Sequence, residues 1–143
     1  MMDFELHPQL QQDTTLLGNF PLSLVLLHRD QAVPWIILVP KRSGITEFHH
    51  LPMVDQQQFL IESQWVCQVL ESQYQPDKIN LGALGNMVPQ LHYHHIARFT
   101  HDEAWPGPVW GNTSGVHRND AEQQRIAQSL ITALSEAEIF TPA

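Results

Sequence analysis

Two kinds of apolar pattern divide this chain: dense runs of strand length, and longer stretches with an apolar residue at every third or fourth position. Leu22-Ser23-Leu24-Val25-Leu26-Leu27 and Trp35-Ile36-Ile37-Leu38-Val39 are of the first kind and predict two strands. The polar stretch His28-Arg29-Asp30-Gln31-Ala32 joins them as a β-hairpin. Pro40 lacks the N–H that a ladder needs and ends the second strand, and Lys41-Arg42-Ser43-Gly44 continues as a loop. Between Leu51 and Ser72, residues Phe59, Leu60, Trp65, Val66, Val69 and Leu70 recur at helical spacing, which predicts a helix with Asp55 as its cap. Gln75-Pro76-Asp77 breaks that pattern.

Ile79 to Ala83 predicts a third strand, Gly85-Asn86 a turn, and Gln90 to Arg98 a fourth strand. Connections this short favour antiparallel pairing, so the economical fold class is α+β, an antiparallel β-sheet with helices packed on it. Residues 1–19 offer a short helix against the body of the domain. Trp105-Pro106-Gly107-Pro108-Val109-Trp110-Gly111 is too rich in Pro and Gly for a helix or central strand, yet its aromatics favour burial, so it reads as an ordered loop with Trp105 and Trp110 as anchors. Asn119-Asp120 caps a final helix striped by Ile126, Leu130, Ile131 and Leu134.

In the fourth strand, alternation places Gln90, His92 and His94 on one face and Leu91, Tyr93 and His95 on the other. A row of polar heads on an apolar strand marks a site. His7, His28, His49, His50 and His117 read as surface or capping groups, and Lys41, Arg42 and Arg98 as solvated charges.

The length of 143 residues fits a single domain, 1–143. A formal charge of −8 opposes binding to a nucleic acid polymer, because few cations are available to displace counterions. A small phosphorylated ligand needs only local donors and stays compatible with that charge. The single Cys67 sits in a helical apolar pattern and reads as a buried, inert thiol. No apolar run reaches membrane-spanning length and the first residues do not resemble a signal peptide, so the expectation is a cytoplasmic protein with no membrane partner.

Two chemistries use histidines at alternate strand positions. The first is metal binding, for which His101, Asp102, His49 and His50 are the available extra ligands; no Cys pair or helical His-Glu motif completes a recognisable set, so the expectation is no metal and no other cofactor. The second is covalent catalysis, with His92 as a neutral nucleophile toward phosphorus. One ring nitrogen must then keep its proton and donate it to a fixed acceptor, so that the other presents its lone pair. His94 and Gln90 would flank it as donors to the phosphate oxygens.

Residues Asn80 to Arg98, Asn-Leu-Gly-Ala-Leu-Gly-Asn-Met-Val-Pro-Gln-Leu-His-Tyr-His-His-Ile-Ala-Arg, resemble the signature of the histidine triad (HIT) family of nucleotide hydrolases and transferases. That signature is an Asn, a Gly-rich turn with Gly-Gln, and His-φ-His-φ-His-φ-φ, where φ is apolar. Val33 to Lys41 resembles the family's second strand and the Pro-basic step after it. The likeness covers about residues 20–100, and the tail 101–143 lies outside the shared core. It implies that His92 is the nucleotidylated nucleophile, that His94 contacts phosphate, and that Asn80 and Asn86 lie near phosphate or the leaving group.

Gln90 falls on the first triad position, as in a variant branch, and an amide cannot titrate there. Met87 stands where many members carry a hydroxyl, Trp35 where many carry a His, and His95 replaces an apolar residue. The ribose-binding acid would fall near Leu27 or His28, with Asp30 a loose substitute. The resemblance further implies a homodimer and a nucleotide phosphohydrolase or nucleotidyl transferase acting at an α-phosphate through a covalent histidine intermediate. The rival reading is a non-catalytic nucleotide-binding or regulatory protein, favoured by Gln90 and Met87.

Overall fold

The apolar runs become strands that are buried on both faces. The computed structural model describes residues 3–143, in the order α1 (Pro8–Asp13), β1 (Thr14–Asn19), β2 (Ser23–His28), β3 (Trp35–Pro40), α2 (Met53–Tyr74), β4 (Lys78–Gly82), β5 (Tyr93–Arg98), α3 (Asp120–Leu134) and β6 (Thr141–Pro142). One six-stranded sheet runs β4-β5-β3-β2-β1-β6 with antiparallel pairing throughout, the expected α+β architecture.

Every residue of β3 is buried because its alternate side chains enter two different cores. Ile36 and Leu38 meet Phe59, Val66 and Leu70 of α2 and Leu130 and Leu134 of α3. Trp35, Ile37 and Val39 face the other way with Ile96, under a cover made by Leu10, Val109 and the partly buried Phe4, Leu6 and Trp110. Burying each such Leu or Ile contributes roughly 1.5–3 kcal/mol relative to exposure. The helices alone therefore do not complete the domain; the first residues and the Trp-rich loop close its second face.

Four expectations are corrected. Residues 14–19 form β1, with a bulge between Leu16 and Gly18, rather than extending the short helix. The signal was weak because Gly18 passes so close to Phe140 and Thr141 that a side chain there would overlap them. Asp55 is not the cap of α2: Pro52 holds that position, and the Asp55 carboxylate instead receives Arg42 at 2.8 and 3.1 Å. The fourth strand begins at Tyr93, not Gln90, because the Leu91 N–H leaves the ladder for the Ile45 carbonyl.

Arg98, read as solvated, is 1 % exposed. Its guanidinium is held by Asp102 at 2.9 and 3.0 Å and by Asn80 Oδ1 at 2.7 Å, with the Trp105 ring beside it. Asp102 also accepts from the backbone N–H groups of Phe99, Ala104 and Trp105, so one carboxylate ties the end of β5 to the Trp loop. Asn119 caps α3 as expected, accepting from the Glu122 N–H at 2.8 Å.

Asp102→Ala leaves the Arg98 charge buried and unpaired, and is expected to lower the unfolding free energy by about 3–5 kcal/mol in urea titration. Burial acts to raise the Asp102 carboxyl, but the hydrogen bonds from Arg98, Phe99 and Trp105 and the Arg98 charge outweigh it and hold the group at about 2, against an ordinary 3.8. The stabilisation is therefore fully present above about pH 4 and is lost as the pH falls toward 2. The Asp102→Ala variant should lack that part of the acid dependence.

Candidate active site

Where the chain enters β5, His92 is fixed by its own backbone neighbourhood. Its Nδ1 lies 2.7 Å from the Gln90 carbonyl, which can only accept, so Nδ1 carries the proton and Nε2 is left with the lone pair. Burial pushes the imidazole below its ordinary value; the bond to Gln90 acts in the opposite direction, and the charge of His7 adds to the lowering. The ring is thus held neutral and aimed. Gly85 allows this position, since a Cβ there would overlap Cε1 of His92 and stand 2.8 Å from Nε2.

His94, on β5 opposite Ile37 and Gly82, is paired at both nitrogens. The Trp35 indole N–H donates to Nδ1 at 2.9 Å, and Nε2 donates to the Leu84 carbonyl at 2.7 Å. Burial drives its pKa down to about 3 despite the bond to Leu84. Trp35 thereby orients the last imidazole of the motif. The expectation that His94 itself donates to phosphate does not fit this geometry, because neither nitrogen is free. Its bond to Leu84 instead anchors the loop 83–92 that carries Gly85 and Asn86.

His95 points to the helix face and is also closed, donating from Nδ1 to Tyr93 O at 3.1 Å and meeting Ser63 Oγ at 2.7 Å. It is a packing residue, as the alternation predicts. Gln90 precedes the strand and lines the same cleft as His92. Its Oε1 accepts from the His7 backbone N–H at 2.9 Å and its Nε2 donates to the Glu5 carbonyl at 2.8 Å, so the amide is spent on the N-terminal segment. Asn80 is drawn to Arg98, at the other end of β5 from His92. Asn86 is exposed and lines a cleft of about 420 Å³ with Thr46, Glu47, Gly85, Val88 and His92.

The structure therefore joins Gln90, His92 and Asn86 at one cleft and separates them from Asn80. Asp30 accepts from Thr113 Oγ1 at 2.6 Å and the Ala32 N–H at 2.8 Å, and is 4 % exposed. His28 stacks on Trp35 with ring centroids 4.0 Å apart. Of the residues proposed as metal ligands, Asp102 is committed to Arg98. A larger groove of about 630 Å³, lined in part by His101, Glu103 and Arg118, opens beyond the far end of β5 from His92. Thr46 and Glu47 were not legible as site residues, because nothing in their spacing links them to the His92 loop.

Gly85→Ala is expected to push the His92 ring from its place. Histidine-selective NMR should show the Nδ1–H of His92 losing its slow solvent exchange, while the His94 signals stay as in the wild type.

A family model described as the HIT domain matches residues 9–101. Among solved structures, a histidine triad protein from Marinobacter aquaeolei is 44 % identical with a TM-score of 0.90, over 94 % of this chain and 98 % of its own. One from Bradyrhizobium japonicum is 41 % identical with a TM-score of 0.89, over 93 % and 99 %. A third, from Sinorhizobium meliloti, is 38 % identical with a TM-score of 0.87, over 91 % and 96 %. No curated protein matches the chain. The match to the family model over most of the chain, and to these three structures over nearly all of it, establishes that the chain belongs to the HIT domain, or histidine triad, family.

Proposed function

We propose that this protein is a nucleotide phosphohydrolase or nucleotidyl transferase in which His92 Nε2 attacks an α-phosphate. The observation that carries the reading is the state of His92: neutral, held through Nδ1–H by the Gln90 carbonyl, and placed with Nε2 beside a glycine at a cleft. Membership of a family of nucleotide hydrolases and transferases supports the substrate class. In the proposed reaction the Nε2–phosphorus bond forms as the bond to the leaving group breaks, and water or another acceptor then displaces the nucleotide from the imidazole. Asn86, on the cleft wall, is the side chain placed to donate to a phosphate oxygen.

The second reading, a protein that binds nucleotides without turning them over, is favoured by the engagement of the Gln90 amide. The first triad position holds no group that titrates, and its amide already bonds the His7 N–H and the Glu5 carbonyl. Incubation with nucleoside phosphoramidates and dinucleoside polyphosphates separates the two. His92→Ala is expected to abolish turnover and the nucleotidyl adduct seen by intact-protein mass spectrometry; binding without turnover, unchanged in His92→Ala, supports the second reading instead. Because burial lowers the His92 pKa, the acid limb of kcat/KM should lie below pH 6.5.

A homodimer and a cytoplasmic setting are further parts of this proposal. Among the described residues no strand lies beside the outer edge of β4, and Leu81 of that strand and Leu84 and Met87 of the loop after it are exposed, Met87 at 92 %. Light scattering should give twice the chain mass for the wild type and the single chain mass for Leu81→Arg. Wild-type monomer at micromolar concentration would exclude this interface.

A further inference from the structure

The residues on either side of His92 both reach one short segment that precedes α2. The Leu91 N–H donates to the Ile45 carbonyl at 3.0 Å. The Tyr93 ring meets the Phe48 ring with centroids 6.1 Å apart, and Phe48 packs on Phe59 of α2 at 5.2 Å. Thr46 and Glu47 lie between those two anchors, and both line the cleft that His92 lines. Glu47 opens a single 3-10 turn, Phe48–His50, yet its side chain makes no capping hydrogen bond. Among the described residues its carboxylate has neither a hydrogen-bond nor an ion-pair partner. The polar side chains that share the cleft wall, Thr46, Asn86 and Gln90, are uncharged, and no Lys or Arg stands there.

We infer that Glu47 is a specificity-determining residue of this cleft, and that it selects substrates whose leaving group carries a positive charge. The inference rests on the proposed attack by His92 at an α-phosphate and names the leaving-group class for that reaction. The common nucleosides are uncharged at neutral pH, so a carboxylate in the cleft discriminates through the phosphate chain or the group that departs from it. A polyphosphate leaving group brings several negative charges to a wall that already holds a carboxylate and offers no cation. A leaving group with a quaternary or ammonium nitrogen meets an unpaired charge of opposite sign. The cations that precede the segment do not neutralise Glu47, since Lys41 bonds Asn19 and Arg42 pairs with Asp55. The exposed His49 and His50 form no ion pair with it.

A unit charge about 6 Å from a carboxylate in surroundings as polar as water changes affinity about 3-fold, so reversing its sign changes affinity about 10-fold. Glu47→Gln keeps the shape of the side chain and removes its charge. Turnover is compared on aryl esters of the common ribonucleoside monophosphates with p-(trimethylammoniomethyl)phenol or p-(sulfomethyl)phenol as the leaving group. The quantity read is the cationic-to-anionic ratio of kcat/KM, from which a general loss of activity cancels. That ratio is expected to fall about 10-fold in Glu47→Gln at low ionic strength, and the difference between the two proteins to shrink at about 0.5 M salt. A ratio within about 2-fold of wild type, or a higher one, overturns the inference. Glu71→Gln makes the same change in net charge toward the other end of α2 and should keep the wild-type ratio; an equal fall there assigns the effect to overall charge and also overturns the role of Glu47. Wild-type rates in His92→Ala would instead overturn the attack by His92.

A binding measurement is independent of turnover. In nucleoside 5′-(arylmethyl)phosphonates a methylene replaces the leaving oxygen, and calorimetry gives Kd for the cationic and the anionic analogue. Glu47→Gln should again lower the preference for the cation about 10-fold. An equal preference in the two proteins, or binding of neither analogue, overturns the role of Glu47 even where the His92 reaction holds.

Discussion

The central strands of this protein are dry on both sides, and that constraint governs the rest of the structure. A sheet covered by helices on one face and by the N-terminal segment and Trp loop on the other has no water to satisfy polar side chains. Each polar group on β5 must therefore be paired from within. His94 is closed by Trp35 and Leu84, His95 by Ser63 and Tyr93, and Arg98 by Asp102 and Asn80. Their bonds join β5 to every element around it: β3, α2, β4 and both flanking loops. The polar residues of the strand fasten the sheet, and pairing leaves them no capacity for a ligand.

The proposed chemistry is consequently displaced to the strand's threshold. His92 precedes Tyr93, the first residue of β5, and there the chain still turns sharply enough for Nδ1 to reach the carbonyl two residues back. The ring has one partner, not two, and faces a cleft. The loop opposite is held by the His94 bond to Leu84, so an imidazole with no free nitrogen sets the distance between Gly85 and the one that has a free lone pair. Glu62 plays a related part on the helix side, where its carboxylate receives the Leu22 N–H at 2.8 Å and fixes α2 against the start of the hairpin.

The hairpin, the long helix and the final helix were legible because apolar spacing is a local signal that tertiary packing reinforces. Of the site residues named from the sequence, Gln90, Asn86 and His92 line one cleft. Alternation failed two residues earlier, since it assumes that the strand continues through Gln90, and a single backbone bond from Leu91 to Ile45 ends that assumption. Long-range pairings were beyond reach of spacing. Gln90 meets residues more than eighty positions away, and nothing near Arg98 in sequence announced that its charge is buried against Asn80 and Asp102. The covering of the second face belongs to the same class, because the continuous apolar run of β3 implies two covered faces without naming what covers them.

The distribution of charge bears on how such a site treats a phosphate. The chain carries a formal charge of −8, and three of its cations are committed: Lys41 to Asn19 at 3.0 Å, Arg42 to Asp55, and Arg98 to its buried pair. The cleft at His92 is lined by an acidic residue, Glu47, and by no Lys or Arg. A site of this kind holds little attraction for a free polyanion, but the proposed reaction supplies its own countercharge. Attack by a neutral imidazole turns the ring into a phosphorylated imidazolium, and the new positive charge lies directly against the anionic phosphoryl group. The proton stays on Nδ1, donated to the Gln90 carbonyl, whose dipole stabilises that cation as it forms. Positive charge thus arises at the reacting atom during the transition state and is absent in the resting protein, so its stabilisation is realised in the step rather than in binding.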